Sequence, residues 1–239
     1  MYSGRPMKTA RRMTILNGLR LAAMMTATPK PALLVLNKAD NALAIVDPAS
    51  GKVVGLVPVG ESPHEVTVSS DGTLAFVANF GARTITEIER VEGPPGWNET
   101  QIPVGKGPEA IDISPDRKEV WTAHGGDGGV SIIDPATRRV TQTLDLHTRR
   151  SNRLKFTPDG KLVLITDDGG GDLLILKAAT RKEIKRIGIG HGPEGILIVP
   201  GGSRSYIALS RDNRVAILDL QTLEVTGSVE TGRNPDGMA

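Results

Sequence analysis

The chain has 239 residues, 38% of them hydrophobic but only 3% aromatic, so it can bury a sizeable core that aliphatic side chains must fill. Its net charge of +2 hides a division: residues 1–32 carry six of the 29 basic residues and no acid, leaving 23 basic against 27 acidic residues in the body. A mildly acidic body with few aromatics lacks the footprint of a nucleic-acid binder, and the absence of cysteine excludes disulfides, thiolate metal sites and a cysteine nucleophile.

Residues 1–32 read as a leader. A basic start at Lys8, Arg11 and Arg12 precedes a moderately apolar run from Met13 to Met25, the outline of a signal peptide, and the Arg-Arg pair suggests twin-arginine export. Asn17 and Arg20 interrupt the run and no clean cleavage site follows, which leaves a short amphipathic helix or an unstructured tail as the alternative. The expected location is periplasmic or extracellular, otherwise cytoplasmic. No segment reaches the ~18 apolar residues of a membrane span.

The body, residues 33–239, reads as strands punctuated by turns. Leu33–Asn37, Ala44–Asp47 and Val53–Val59 are the first three strands, and Val59-Gly60-Glu61-Ser62-Pro63 leads into the alternating Glu65–Val68. Asp71-Gly72 then marks a hairpin turn before Phe76–Asn79. The phrase recurs as Val104-Gly105-Lys106-Gly107-Pro108, Ile189-Gly190-His191-Gly192-Pro193 and Thr231-Gly232-Arg233-Asn234-Pro235, its glycines 45, 85 and 42 residues apart. The double interval places a degenerate copy at Thr148–Asn152. Turns at Asp116-Arg117, Asp159-Gly160 and Gly201-Gly202 follow at the same offset, and the strands Trp121–His124, Leu164–Asp167 and Tyr206–Leu209 come after them. Third strands end in Asp at Ser131–Asp134 and Ala216–Asp219.

Four strands in each repeat of about 42–45 residues make a β-propeller blade. The Trp-Asp dipeptide of WD40 repeats is missing. The pattern Val-Gly-x-x-Pro, then Ser-x-Asp-Gly, then aromatic-Val-x-Asn (Phe76–Asn79) resembles the YVTN repeat family across residues 33–239. That resemblance implies an all-β propeller of four-stranded antiparallel blades, usually seven in the family and about five here. The body starts at the second strand of a blade and ends just inside a first strand, so Pro235–Ala239 and the three N-terminal strands are expected to share one blade and close the ring. An open ring implies an arc or a dimer. Ile88–Trp97 breaks the pattern, either as a scar where about two blades were lost between Phe80 and Gly93 or as an ordinary long loop.

Propellers present ligands at the mouth of the central channel. The repeat alignment puts His64, Glu109, Asn152, Glu194 and Asp236 at one position, with Glu65 and Arg153 at the next. Such a crown could hold a divalent cation through oxygen ligands or orient a small polar molecule; otherwise no cofactor is implied, and each polar residue starts an inner strand in channel water. The four histidines have no zinc spacing. Asp167–Asp172 and His124–Gly129 read as solvated hairpin turns rather than calcium loops. No catalytic motif is present. The sequence therefore favours a non-catalytic protein that binds a small molecule or a protein partner. Related propellers include lactonases and redox proteins, which makes a channel-mouth enzyme the alternative, with Glu109, Glu194 and Asp236 beside His64 or Arg153 as its groups.

Overall fold

In the computed structural model, residues 31–93 and 96–238 are described; the leader, apart from its last two residues, lies outside them. Five antiparallel sheets follow one another along the chain. The first holds β1 (Leu33–Asn37), β2 (Ala42–Asp47) and β3 (Lys52–Pro58). The second holds β4 (Pro63–Val68), β5 (Leu74–Asn79), β6 (Thr84–Arg90) and β7 (Trp97–Pro103), and the third β8 (Pro108–Ile113), β9 (Val120–His124), β10 (Gly129–Asp134) and β11 (Arg139–Asp145). The fourth holds β12 (Ser151–Phe156), β13 (Leu162–Asp167), β14 (Asp172–Lys177) and β15 (Glu183–Gly188), and the fifth β16 (Pro193–Ile198), β17 (Arg204–Leu209), β18 (Arg214–Asp219) and β19 (Glu224–Glu230). This is an all-β propeller of about five blades, with no helix among the described residues.

Local chemistry sets these elements. Each inner strand of the second, third and fifth sheets opens on a proline, which has no N–H to give and is tolerated at a strand's first residue; the ladder slips immediately after it. The first-to-second strand turns place Gly72, Arg117, Gly160 and Gly202 at φ of 68°, 61°, 70° and 66°. Asp71, Asp116 and Asp159 brace three of these turns by accepting the hydroxyls of Ser69, Ser114 and Thr157. Middle strands are buried on both faces, so they read as nearly continuous apolar runs such as Val163–Ile165 and Leu173–Leu176.

Four apolar clusters fill the spaces between successive sheets. Leu43, Ile45 and Trp97 join the first to the second, Phe76, Ile111 and Ile133 the second to the third, Trp121, Phe156 and Leu174 the third to the fourth, and Leu164, Ile175 and Leu218 the fourth to the fifth.

Two expectations change. Among the described residues the composite closing blade does not form: the first sheet has three strands, and residues 235–238 belong to no strand. No ladder and no apolar cluster joins the first sheet to the fifth among the described residues. Leu33 and Val35 at one end and Val229 at the other are accordingly 53%, 39% and 52% exposed.

The irregular Ile88–Trp97 segment, in turn, begins and ends within one sheet, Ile88–Arg90 in β6 and Trp97 in β7. β6 and β7 pair from Thr84↔Pro103 to Arg90↔Trp97 without a bulge, whereas the last two strands of every other sheet slip by a residue. The first, third and fifth sheets turn there through an Asp-capped loop, as where Asp134 accepts Ala136 N at 2.8 Å and Asp219 accepts Gln221 N at 2.8 Å. In the second sheet the ladder runs on to Arg90 before the chain turns. A lengthened hairpin explains the broken pattern.

Candidate functional site

Inner strands β4, β8, β12 and β16 stand side by side and bring His64, Glu109, Asn152, Arg153, Glu194 and Asp236 into one charged crown. Glu109 is its hub. Its carboxylate, 5% exposed, accepts Arg150 Nη2 at 3.0 Å and Asn152 Nδ2 at 3.4 Å, and His64 Nε2 lies 4.0 Å away. His64 Nδ1 meets the Glu109 carbonyl at 3.1 Å. Arg150 continues to Asp168 at 3.5 Å, and Arg211 of the fifth sheet donates to the same Asp168 at 2.6 Å. The ionic path thus steps from the third sheet to the fifth, and the His64 contact with the Glu109 carbonyl ties the second sheet to it.

A branch runs through Arg153, which donates to Asn152 Oδ1 at 2.8 Å and Asp236 Oδ1 at 3.3 Å. Residues 235–238 lie against β16, where the next blade's inner strand would stand. Gly195 permits this approach, because a side chain there would run into the Asp236 carbonyl. Burial raises the Glu194 carboxyl above the usual range and neighbouring Asp236 adds to the rise, against a Ser210 hydrogen bond that lowers it. Burial lowers the His64 imidazole, Arg153 adds to this, and Glu109 opposes it, so the ring favours its neutral form.

Glu65 does not join this group. It accepts Ile111 N at 3.0 Å and Lys155 Nζ at 3.3 Å, in a second layer with Asp112. Burial raises Asp112 while Lys155 opposes the rise; Lys155 is itself raised, because Glu65 and Asp112 outweigh its burial.

Sequence alignment missed Arg150, Asp168 and Arg211. Asp167 and Asp168 are buried rather than solvated: Asp167 accepts Arg149 N and Arg150 N, and Asp168 anchors two guanidinium groups. The degenerate Thr148–Asn152 loop was the available signal, since a copy without its Gly-x-x-Pro needs another anchor. His124 is buried too. Among the described residues no group of three His, Cys, Asp or Glu side chains converges as a metal site. The crown is a set of mutually paired charges, not an open pocket.

Comparison with known proteins supports the architecture and leaves the chemistry open. No family model matches the chain. It is 26% identical over 158 residues to "Uncharacterized protein YncE" of Salmonella typhimurium, covering 64% of this chain and 43% of that protein. It is 27% identical over 141 residues to an uncharacterized WD repeat-containing protein of Synechocystis, covering 57% and 38%. The chain thus spans less than half the length of the curated relatives it matches. Among solved structures it is similar to a functionally unknown protein from Desulfotomaculum acetoxidans, at TM-score 0.76 and 17% identity over 85% of this chain and 67% of that one. It is also similar to Kuenenia stuttgartiensis hydrazine synthase, at TM-score 0.64 and 17% identity over 96% and 92%. At such identities these likenesses show the fold alone, and that fold is a β-propeller.

Proposed function

We propose that this chain is a non-catalytic propeller of the YVTN type, exported from the cytoplasm, that binds an acidic ligand or the acidic segment of a partner on its crown. The observation that carries this reading is an asymmetry of exposure. Glu109 and Asp168 are 5% and 6% exposed, while their partners Arg150 and Arg211 are 43% and 55% exposed. Buried carboxylates therefore fix two guanidinium groups that stay about half exposed, cations placed to attract a carboxylate. Their positions are held before binding, which reduces the ordering cost of association.

Thermal-shift titration with citrate, glutarate and polyglutamate tests the reading. An acid that binds raises the unfolding temperature of the unsubstituted protein, and Arg150→Ala with Arg211→Ala removes the rise. Equal binding by a folded double variant would exclude the crown.

A second reading rests on Glu194. A half-buried carboxyl whose hold on a proton is strengthened by burial and by Asp236 has the character of a general acid, which favours the hydrolytic alternative at the same mouth. Lactone hydrolysis lost in Glu194→Gln would support it; protein inactive on a lactone panel speaks for the binding role.

A further inference from the structure

The first sheet has a free edge on the channel side. In each of the other four sheets an inner strand pairs antiparallel with the second strand; β1 stands in the second strand's place with no such partner among the described residues. The tail does not supply one, because residues 235–238 lie against β16, where the Asp236 carbonyl closes on Gly195. An unpaired edge offers a row of backbone N–H and C=O groups to any extended segment that reaches it.

A seat for the end of such a segment lies beside the start of β1. In the third and fourth sheets the inner strand leaves through Ile113-Ser114-Pro115 and Phe156-Thr157-Pro158, and each proline packs against the turn glycine of the next sheet. A Cβ on Gly160 would meet Pro115 at 3.4 Å, and one on Gly202 would meet Pro158 at 3.6 Å. At Gly72, the same turn of the second sheet, it would meet nothing within 4 Å among the described residues. Val68 at the end of β4 is accordingly 44% exposed, whereas Phe156 at the end of β12 is 7% exposed, packed between the third and fourth sheets. Ala32 adds room: it precedes the Leu33↔Val46 pair where the second and fourth sheets set Leu74 and Leu162 before Ala75↔Ile88 and Val163↔Leu176. The result is a pocket of about 320 Å³, walled by Ala32, Leu34, Val68, Gly72 and Trp97 and open to solvent along Val68.

The molecule's own inner strands specify the occupant. Ile111-Asp112-Ile113-Ser114-Pro115, Leu154-Lys155-Phe156-Thr157-Pro158 and Ile196-Leu197-Ile198-Val199-Pro200 share one pattern, apolar residues at alternate positions and then proline. In the third sheet Ile111 lies opposite Thr122 and Ile113 opposite Val120. The register of β9 on β10 and of β1 on β2 makes Val35 and Leu33 the matching residues of the first sheet. These are the two that stand 39% and 53% exposed. We propose that the β1 edge and this pocket form an acceptor site for an extended segment of a partner protein, of the form apolar-x-apolar-x-Pro, that adds as the missing inner strand. Its apolar side chains cover Val35 and Leu33, and its proline sits beside Gly72. Backbone pairing supplies affinity, and the side-chain pockets supply selectivity. The site is separate from the crown's cations, which belong to the fourth and fifth sheets.

The peptide Ser-Asn-Arg-Leu-Lys-Phe-Thr-Pro, the sequence of residues 151–158, has this pattern and, capped at both ends, no acid for the crown to attract. Titrated into the full chain it should bind saturably, shift the Gly72 amide and slow hydrogen exchange at the Leu33–Asn37 amides roughly tenfold or more. Val68→Lys, a charge placed in the pocket wall at an exposed position, should weaken binding roughly tenfold or more, with the fold checked by thermal unfolding. Replacing the peptide's proline by serine should also weaken it. Absence of saturable binding, equal binding of a scrambled peptide, or unchanged binding to folded Val68→Lys would overturn the site. Slow exchange throughout β1 before peptide is added would overturn it as well. Protection that rises with protein concentration would then assign the edge to a second copy, and protection independent of concentration to the chain itself.

Discussion

Two histidines are held neutral by burial, and this gives the protein an acid sensitivity of defined sign. His64 and His124 both have folded pKa values below the ordinary 6.5, burial being the largest cause at each. As pH falls below about 6.5 the unfolded chain takes up protons first, so these groups contribute their stability in full above that pH and lose it on acidification. Urea unfolding at about pH 7.5 and about pH 5.5 should show a stability loss that His124→Asn reduces. An unchanged pH dependence in that variant would mean that His124 titrates normally. At this scale the sequence was informative where position alone matters: the residue after each inner-strand proline was found at His64, Glu109 and Glu194 by repeat arithmetic. It was silent on Arg150 and Arg211, because a long side chain reaches a partner in another sheet and only the crossing of sheets decides which.

Strands and turns follow the same division. The Asp-Gly turns and apolar middle strands were legible because φ preference and two-sided burial leave direct marks on composition. The buried Asp167-Asp168 pair read as a solvated turn because acidity and glycine look alike in a hairpin tip and in a loop anchor. The lengthened β6–β7 hairpin looked like a break because its Asp-capped turn is gone, yet it delivers Trp97 to the space between the first two sheets. That indole is 6% exposed and lies over Gly55, where an added Cβ would approach a ring atom to 2.7 Å. Trp97→Ala should therefore cost about 3–5 kcal/mol in urea unfolding, and Trp97→Phe substantially less. A loss under about 1 kcal/mol would mean that the indole is not filling the interface.

Across the whole molecule, the number of sheets was legible and the ring closure was not. A period counts blades, but whether the last segment pairs with the first strand depends on ladder length and on the accumulated angle between sheets, neither of which a repeat records. The charged crown survives without closure because its links between sheets join neighbours, His64 to Glu109, Glu109 to Arg150 and Asp168 to Arg211, with Arg150 to Asp168 inside the fourth sheet. The central claim is that these charges act across sheets as one network, and the Glu109–Arg150 link tests it most directly. A double-mutant cycle with Glu109→Gln and Arg150→Ala, read by urea unfolding, should give a coupling of about 1 kcal/mol, reduced by high salt. A coupling indistinguishable from zero would contradict the network and, with it, the crown as a pre-positioned binding surface.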